Sequence, residues 1–322
     1  MSFVVRTTPG VALVALGLFM SRFDGGAPRH PSDTPAPGRR LASAPRERTG
    51  LLVVAHGAEP AWNARVQETV AQVRWARGPV ALAFLMGQDM SADWDAAVDT
   101  LVAGGVQRIV VVPLLVSSHS GHYRQIAYCA GALDTLQGTD APAPCHRRSP
   151  VPMRMTPALD AAPHLGAALA GAWSALGPAD RARPVVLVAH GPNPDSEAQL
   201  WLANLGKTTA PAFRAAGQTA ELRVGLLRDD APPPVRAAAV AALRDTIQRL
   251  AAAARDSVVV LPVLISSGAI DQVRMPRDLA GLPIRFVPVS LAPRPELARW
   301  IEDSAGGEEA QRGTDPATRQ PE

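Results

Sequence analysis

The strongest constraint on how this chain folds is that it says nearly the same thing twice. Residues 49–57 read TGLLVVAHG and residues 183–191 read RPVVLVAHG, the same apolar run closed by His-Gly. Farther along, residues 108–118 read RIVVVPLLVSS and residues 257–267 read SVVVLPVLISS. The two motifs keep their order in each half, His56 then Pro113 and His190 then Pro262. Such a chain folds as two copies of one unit, each setting a histidine at the carboxyl end of a buried strand. Open α/β sheets gather ligands at that edge.

Within each half, short continuous apolar runs alternate with longer stretches at helical spacing. Residues 51–55, 80–86, 109–116 and 151–155 read as strands, with helices over 61–77, 91–103 and 123–136. The second half predicts strands at 185–189, 220–227, 258–265 and 284–289, with helices over 196–216 and 235–254; Pro232 to Pro234 mark the start of the latter. The alternation implies an α/β fold: two similar lobes, each a parallel sheet of about four strands flanked by helices and joined by right-handed crossovers. The expected organisation is a leader and disordered linker over 1–48, an N-terminal lobe over 49–158, a connecting helix over 159–182, a C-terminal lobe over 183–303 and a disordered tail over 304–322. Two facing lobes would enclose a cleft of the size that takes a large ligand.

Composition narrows the partners. At 322 residues, 47% hydrophobic and 19% charged, the chain has globular proportions, and a net charge of +3 calls for no nucleic acid. No glycine-rich phosphate loop or Walker lysine occurs, so no nucleotide is expected. Arg6 precedes an apolar run over 11–20, shorter than a membrane span and close to a signal h-region. That pattern predicts export to the periplasm or beyond, the segment being cleaved or kept as a membrane anchor; a cytoplasmic protein with a misassigned start is the alternative. Cys129 and Cys145 match no metal spacing and could pair in an oxidising compartment, their redox state open at this point. The oligomeric state, monomer or homodimer, is open as well.

The residues able to do chemistry are His56, His119, His122 and His190. A histidine at a strand tip can bind metal or take a proton near neutral pH. The run Ser117-Ser118-His119-Ser120-Gly121-His122 follows the third strand, so His56 and His122 can converge on one sheet edge as an open divalent-metal site. A histidine that merely caps a helix is the competing reading for each.

The pattern strand-His-Gly, then strand-Pro-apolar-Ser-Ser-loop-His, resembles the class II chelatases of the CbiX and SirB type, over residues 49–301 in the long two-lobed form. The stretch from Gly104 to Pro113, GGVQRIVVVP, is especially similar. That family inserts Co2+ or Fe2+ into sirohydrochlorin, a tetrapyrrole on the way to cobalamin or sirohaem. The resemblance implies that His56 and His122 bind the metal and receive pyrrole protons, with His119 competing for the second role. The acidic side arms of such a macrocycle would want Arg, and Arg65 and Arg124 are near enough to the histidines in sequence to be candidates. Where family members often carry an acidic residue after the second strand, this chain has Phe84-Leu85-Met86-Gly87. In the second half the position matching His122 is Asp271; by analogy with protohaem ferrochelatases His190 with Asp271 is a candidate second site, and a decayed copy of the first is the competing reading. A non-catalytic carrier of metal or tetrapyrrole on the same fold is the alternative function.

Overall fold

The computed structural model describes residues 47–86, 90–136 and 142–312. The expected leader and most of its linker, and the last ten residues of the expected tail, lie outside them. Strands β1 (Thr49–Ala55), β2 (Val80–Phe84), β3 (Arg108–Leu114) and β4 (Met153–Met155) form a parallel sheet in the order β2-β1-β3-β4. Strands β5 (Val185–Ala189), β6 (Leu222–Leu226), β7 (Val258–Val263) and β8 (Ile284–Phe286) repeat it as β6-β5-β7-β8. Each first strand sits second from the sheet edge, between its second and third. His56 and His190 therefore leave equivalent sheet edges.

The helices are α1 (Pro60–Ala71), α2 (Met90–Ala103), α3 (Gly121–Cys129), α4 (Pro163–Ser174), α5 (Pro178–Arg181), α6 (Asp195–Ala215), α7 (Pro233–Ala254), α8 (Met275–Asp278) and α9 (Pro295–Arg312). A π-helical turn, Ile270–Arg274, leads into α8. Strand alternation decides which helices each sheet meets. Leu51, Val53 and Ala55 of β1 share one core with Val185, Leu187 and Ala189 of β5, filled by α1, α4, α6 and α9. Leu52 and Val54 face the other way, onto α2 and α3, while Val186 and Val188 face α7 and α8. Both sheets thus share a single inner helix layer. In that layer α4 crosses α6 closely at Gly166, where a Cβ would stand 2.3 Å from the Thr208 carbonyl oxygen.

The duplicated prolines have a place in this geometry. Ile109 and Val111 turn their hydrogen-bonding groups toward β4, and Pro113 shares their parity but lies past the last β4 pairing. Pro262 stands equally beyond the end of β8. The missing N–H therefore leaves no gap in the ladder.

Several expected boundaries shift, and three of the shifts have a clear local cause. α1 stops at Ala71, not at 77, because Val73 and Trp75 fold back onto the inner core as loop residues, and the Trp75 indole N–H donates to the Thr49 carbonyl at 2.7 Å. α3 stops at Cys129, with Gly131 following at φ +77°, a left-handed position that ends the helix. Beyond residue 303, where a disordered tail was expected, α9 continues to Arg312, with Ala305 fully buried beside Ile301 in the shared layer. Cys129 and Cys145 form a disulfide that ties the loop ahead of β4 to the end of α3.

Candidate metal centre

His56 follows β1 directly, and Gly57 turns the chain at φ +80°. A Cβ on Gly57 would lie 2.3 Å from the Met86 carbonyl oxygen, so only glycine fits between the ends of β1 and β2. The His56 Nδ1 sits 2.6 Å from the Gly57 carbonyl oxygen. A carbonyl only accepts, so Nδ1 carries the proton and Nε2 presents a lone pair.

His122 enters from the first turn of α3, whose N-cap Ser120 accepts from the Tyr123 amide. The loop ahead of it is pinned by Asp160, which accepts from the Ser118 amide at 2.8 Å and from the Ser117 and Ser118 hydroxyls at 3.1 and 2.5 Å. One helical turn on, Gln125 donates its amide N–H to the Pro142 carbonyl at 2.6 Å. Its Oε1 thereby faces His122 Nδ1 at 2.8 Å and fixes the same tautomer there. The two rings meet edge to face with centroids 4.7 Å apart, and Trp62 stands beside His56 at 6.4 Å. Burial, with the nearby His122 adding to it, lowers the His56 pKa to about 4. The ring is therefore neutral and able to ligate across the physiological range.

Both histidines open on a cleft of about 630 Å³ between the lobes, within the range of small-molecule sites. Its walls include Leu115, Val116, Val263 and Ile265 from the strand ends, and Arg124 and Arg274. Arg124 pairs with Glu197 of the other lobe at 2.6 Å, while Arg65 donates to the Ser267 carbonyl at 3.3 Å and stitches the lobes instead of lining the cleft. His119 is not on this cleft. It lines a separate, smaller pocket with Tyr123 and Leu133, and its carbonyl is taken by the Trp201 indole N–H.

In the second lobe the carboxylate that meets His190 is Asp230, not Asp271. Asp230 Oδ2 stands 3.0 Å from His190 Nε2, and His190 at that distance is the main cause that holds the Asp230 carboxyl below its ordinary value. Asp271 is buried with both oxygens engaged, accepting from the Ser267 hydroxyl at 2.6 Å and the Gly268 amide at 2.7 Å. It does for the second Ser-Ser loop what Asp160 does for the first. Three residues escaped the sequence reading: Gln125, Asp160 and Asp230. Gln125 had a signal, its helical i+3 spacing from His122, and Asp230 had another, its place just past a strand end. Asp160 had none, being 42 residues from the serine it holds.

This geometry defines a class: two linked parallel-sheet lobes with imidazoles converging on the cleft between them, the class II chelatase fold. Residues 50–173 match the model of the CbiX family, so the chain is CbiX/SirB-like both in that sequence pattern and in its architecture. Among solved structures, "SirB from Bacillus subtilis with Fe3+" aligns at TM-score 0.55 and 16% identity, covering 82% of this chain and 98% of that one. The sirohydrochlorin chelatase SirB from Bacillus subtilis subspecies spizizenii, in complex with cobalt, aligns at 0.55 and 13% with the same coverage. DR2241 from Deinococcus radiodurans, a multi-domain protein with structural similarity to chelatases, aligns at 0.51 and 18% over 81% of this chain and 55% of that one. No curated protein sequence matches the chain.

Proposed function

We propose that this protein inserts a divalent metal, Co2+ or Fe2+, into sirohydrochlorin or a related tetrapyrrole without ATP. The observation that carries the reading is the His56–His122 pair, two rings 4.7 Å apart on one cleft, with each Nδ1 proton held by a fixed acceptor. Both Nε2 lone pairs are thus available to one ion. Two imidazoles bind a first-row ion firmly enough to capture it and loosely enough to give it up to four ring nitrogens. The proton balance closes on the same atoms: two pyrrole N–H protons must leave the macrocycle as the metal enters, and each Nε2 that releases the metal becomes a base for one. Arg124, which lines the cleft and pairs with Glu197 at 2.6 Å, is the candidate partner for an acidic side arm.

The test is anaerobic metallation of sirohydrochlorin with Co2+ or Fe2+, followed by absorbance. Turnover well above the spontaneous rate is expected, falling by about 100-fold or more in His56→Ala and His122→Ala. A rate equal to the spontaneous one would sink the enzymatic reading. One observation favours a second reading, a non-catalytic carrier: the residue after β2 beside His56 is the exposed Met86, whose amide donates to the His56 carbonyl, where a carboxylate would be expected of an enzyme of this type. Binding of metal or pigment without turnover would establish the carrier. We also read the protein as exported, a reading supported by the apolar run over 11–20 and by the Cys129–Cys145 bond, which suits an oxidising compartment.

A further inference from the structure

The second lobe sets another group of metal-ligating atoms on the same cleft, and both ring nitrogens of its histidine face acceptors. His190 Nδ1 lies 2.8 Å from the Gly191 carbonyl oxygen, so Nδ1 holds the ring proton. In a neutral ring Nε2 is then a lone pair, and it stands 3.0 Å from Asp230 Oδ2. Two acceptors face each other at hydrogen-bond distance. Either a second ring proton lies between them or a cation lies against both. A third ligand is close by: the ligand atoms of His190, Asp229 and Asp230 all lie within 4.8 Å of one another.

The two carboxylates differ in a way that suits a cation. The Asp229 side chain is only 2% exposed and is held by Arg236 at 3.0 Å and by Arg274, so its position is set by the fold. Asp230 is 67% exposed and has room to turn toward an incoming ion. His190 and Asp230 line the cleft that His56 and His122 line from the other lobe.

We infer that His190 and Asp230, backed by Asp229, form a second divalent-cation site, on the C-terminal lobe and facing the His56–His122 pair. One imidazole with carboxylate oxygens suits Fe2+, Co2+ or Zn2+ and is a harder donor set than the two imidazoles opposite. The site stands on its own residues. Only its use as a store that feeds the first pair rests on the metal-insertion reading.

The experiment is an anaerobic Co2+ titration of the full chain, read by calorimetry and by cobalt d–d absorption. The wild type is expected to bind two ions. Asp230→Asn, an exposed and nearly isosteric change that leaves the fold intact, and His190→Ala should each weaken one of them about tenfold or more. The double variant His56→Ala with His122→Ala should keep one ion, and that ion should be lost when Asp230→Asn is added. Unchanged binding of all ions in both Asp230→Asn and His190→Ala would overturn the proposal and make the pair an imidazolium–carboxylate contact. Metallation could still proceed in that case, through His56 and His122. Conversely, a cobalt ion that depends on Asp230 in a protein that metallates nothing would sink the enzymatic reading and leave this site standing.

Discussion

At the scale of single residues, the site is made by hydrogen bonds that decide which nitrogen carries a proton. Gly57 and Gln125 supply acceptors to the Nδ1 atoms of His56 and His122, and neither residue needs to touch a ligand to do so. The buried His56 also leaves a thermodynamic signature. Its folded pKa, about 4, lies below the ordinary 6.5, so between those values the unfolded chain binds the extra proton. Stability contributed by this group is complete above pH 6.5 and falls as pH drops toward 4, by about 3 kcal/mol at most. Urea denaturation of the metal-free protein at pH 7 and at pH 4.5 should show that loss, and His56→Asn should remove it. A pH dependence identical in the two proteins would contradict the assignment. The His-Gly motif was readable in the sequence because it is local and occurs twice, whereas the tautomer was not, because Gln125 is oriented by a carbonyl seventeen residues away.

Among the elements, α3 does the most for the site. Its N-terminus presents His122, its middle presents Gln125, and its last residue, Cys129, is bonded to Cys145. The disulfide closes a loop that includes Pro142, the acceptor that orients Gln125. A cross-link over a separation of 16 residues is worth about 3 kcal/mol, chiefly through the unfolded state. The variant Cys129→Ser with Cys145→Ser should lose about that much in chemical denaturation, and dithiothreitol should lower the wild type alike. If the loop also keeps Gln125 in place, Co2+ affinity at the His56–His122 pair should fall about tenfold in the variant. A loss of stability with affinity unchanged would show that Gln125 holds its orientation without the bridge. Helix α9 shows the opposite limit of sequence reading. Its apolar residues Leu297, Trp300, Ile301 and Ala305 have helical spacing, yet the charged and glycine-containing stretch after 303 resembles a tail until burial of Ala305 in the shared layer continues the helix.

For the whole molecule, the two lobes are not two independent domains. One core runs from β1 through α1, α4, α6 and α9 to β5, with Trp173 packed on Phe213 at a ring separation of 5.8 Å near its middle. A layer serving both sheets couples their unfolding. Calorimetry of the protein should give one transition with equal calorimetric and van't Hoff enthalpies, and Trp173→Ala should lower all of it by about 3–5 kcal/mol. Two resolved transitions, or a shift in only part of the heat absorption, would show that the lobes fold separately. The same coupling fixes the cleft, since His56 and His190 sit at equivalent edges of sheets joined through a common layer.

The sequence by itself determined the duplicated α/β unit, the strand-end histidines and their order, because those depend on short apolar runs and on turns that only glycine can make. The tertiary structure alone decided which carboxylate meets which histidine. Asp230 reaches His190 while Asp271 holds a serine loop, and Asp160 holds the matching loop in the first lobe. Equal spacing from a duplicated proline cannot separate those roles, because the direction of a side chain depends on the neighbours packed around it.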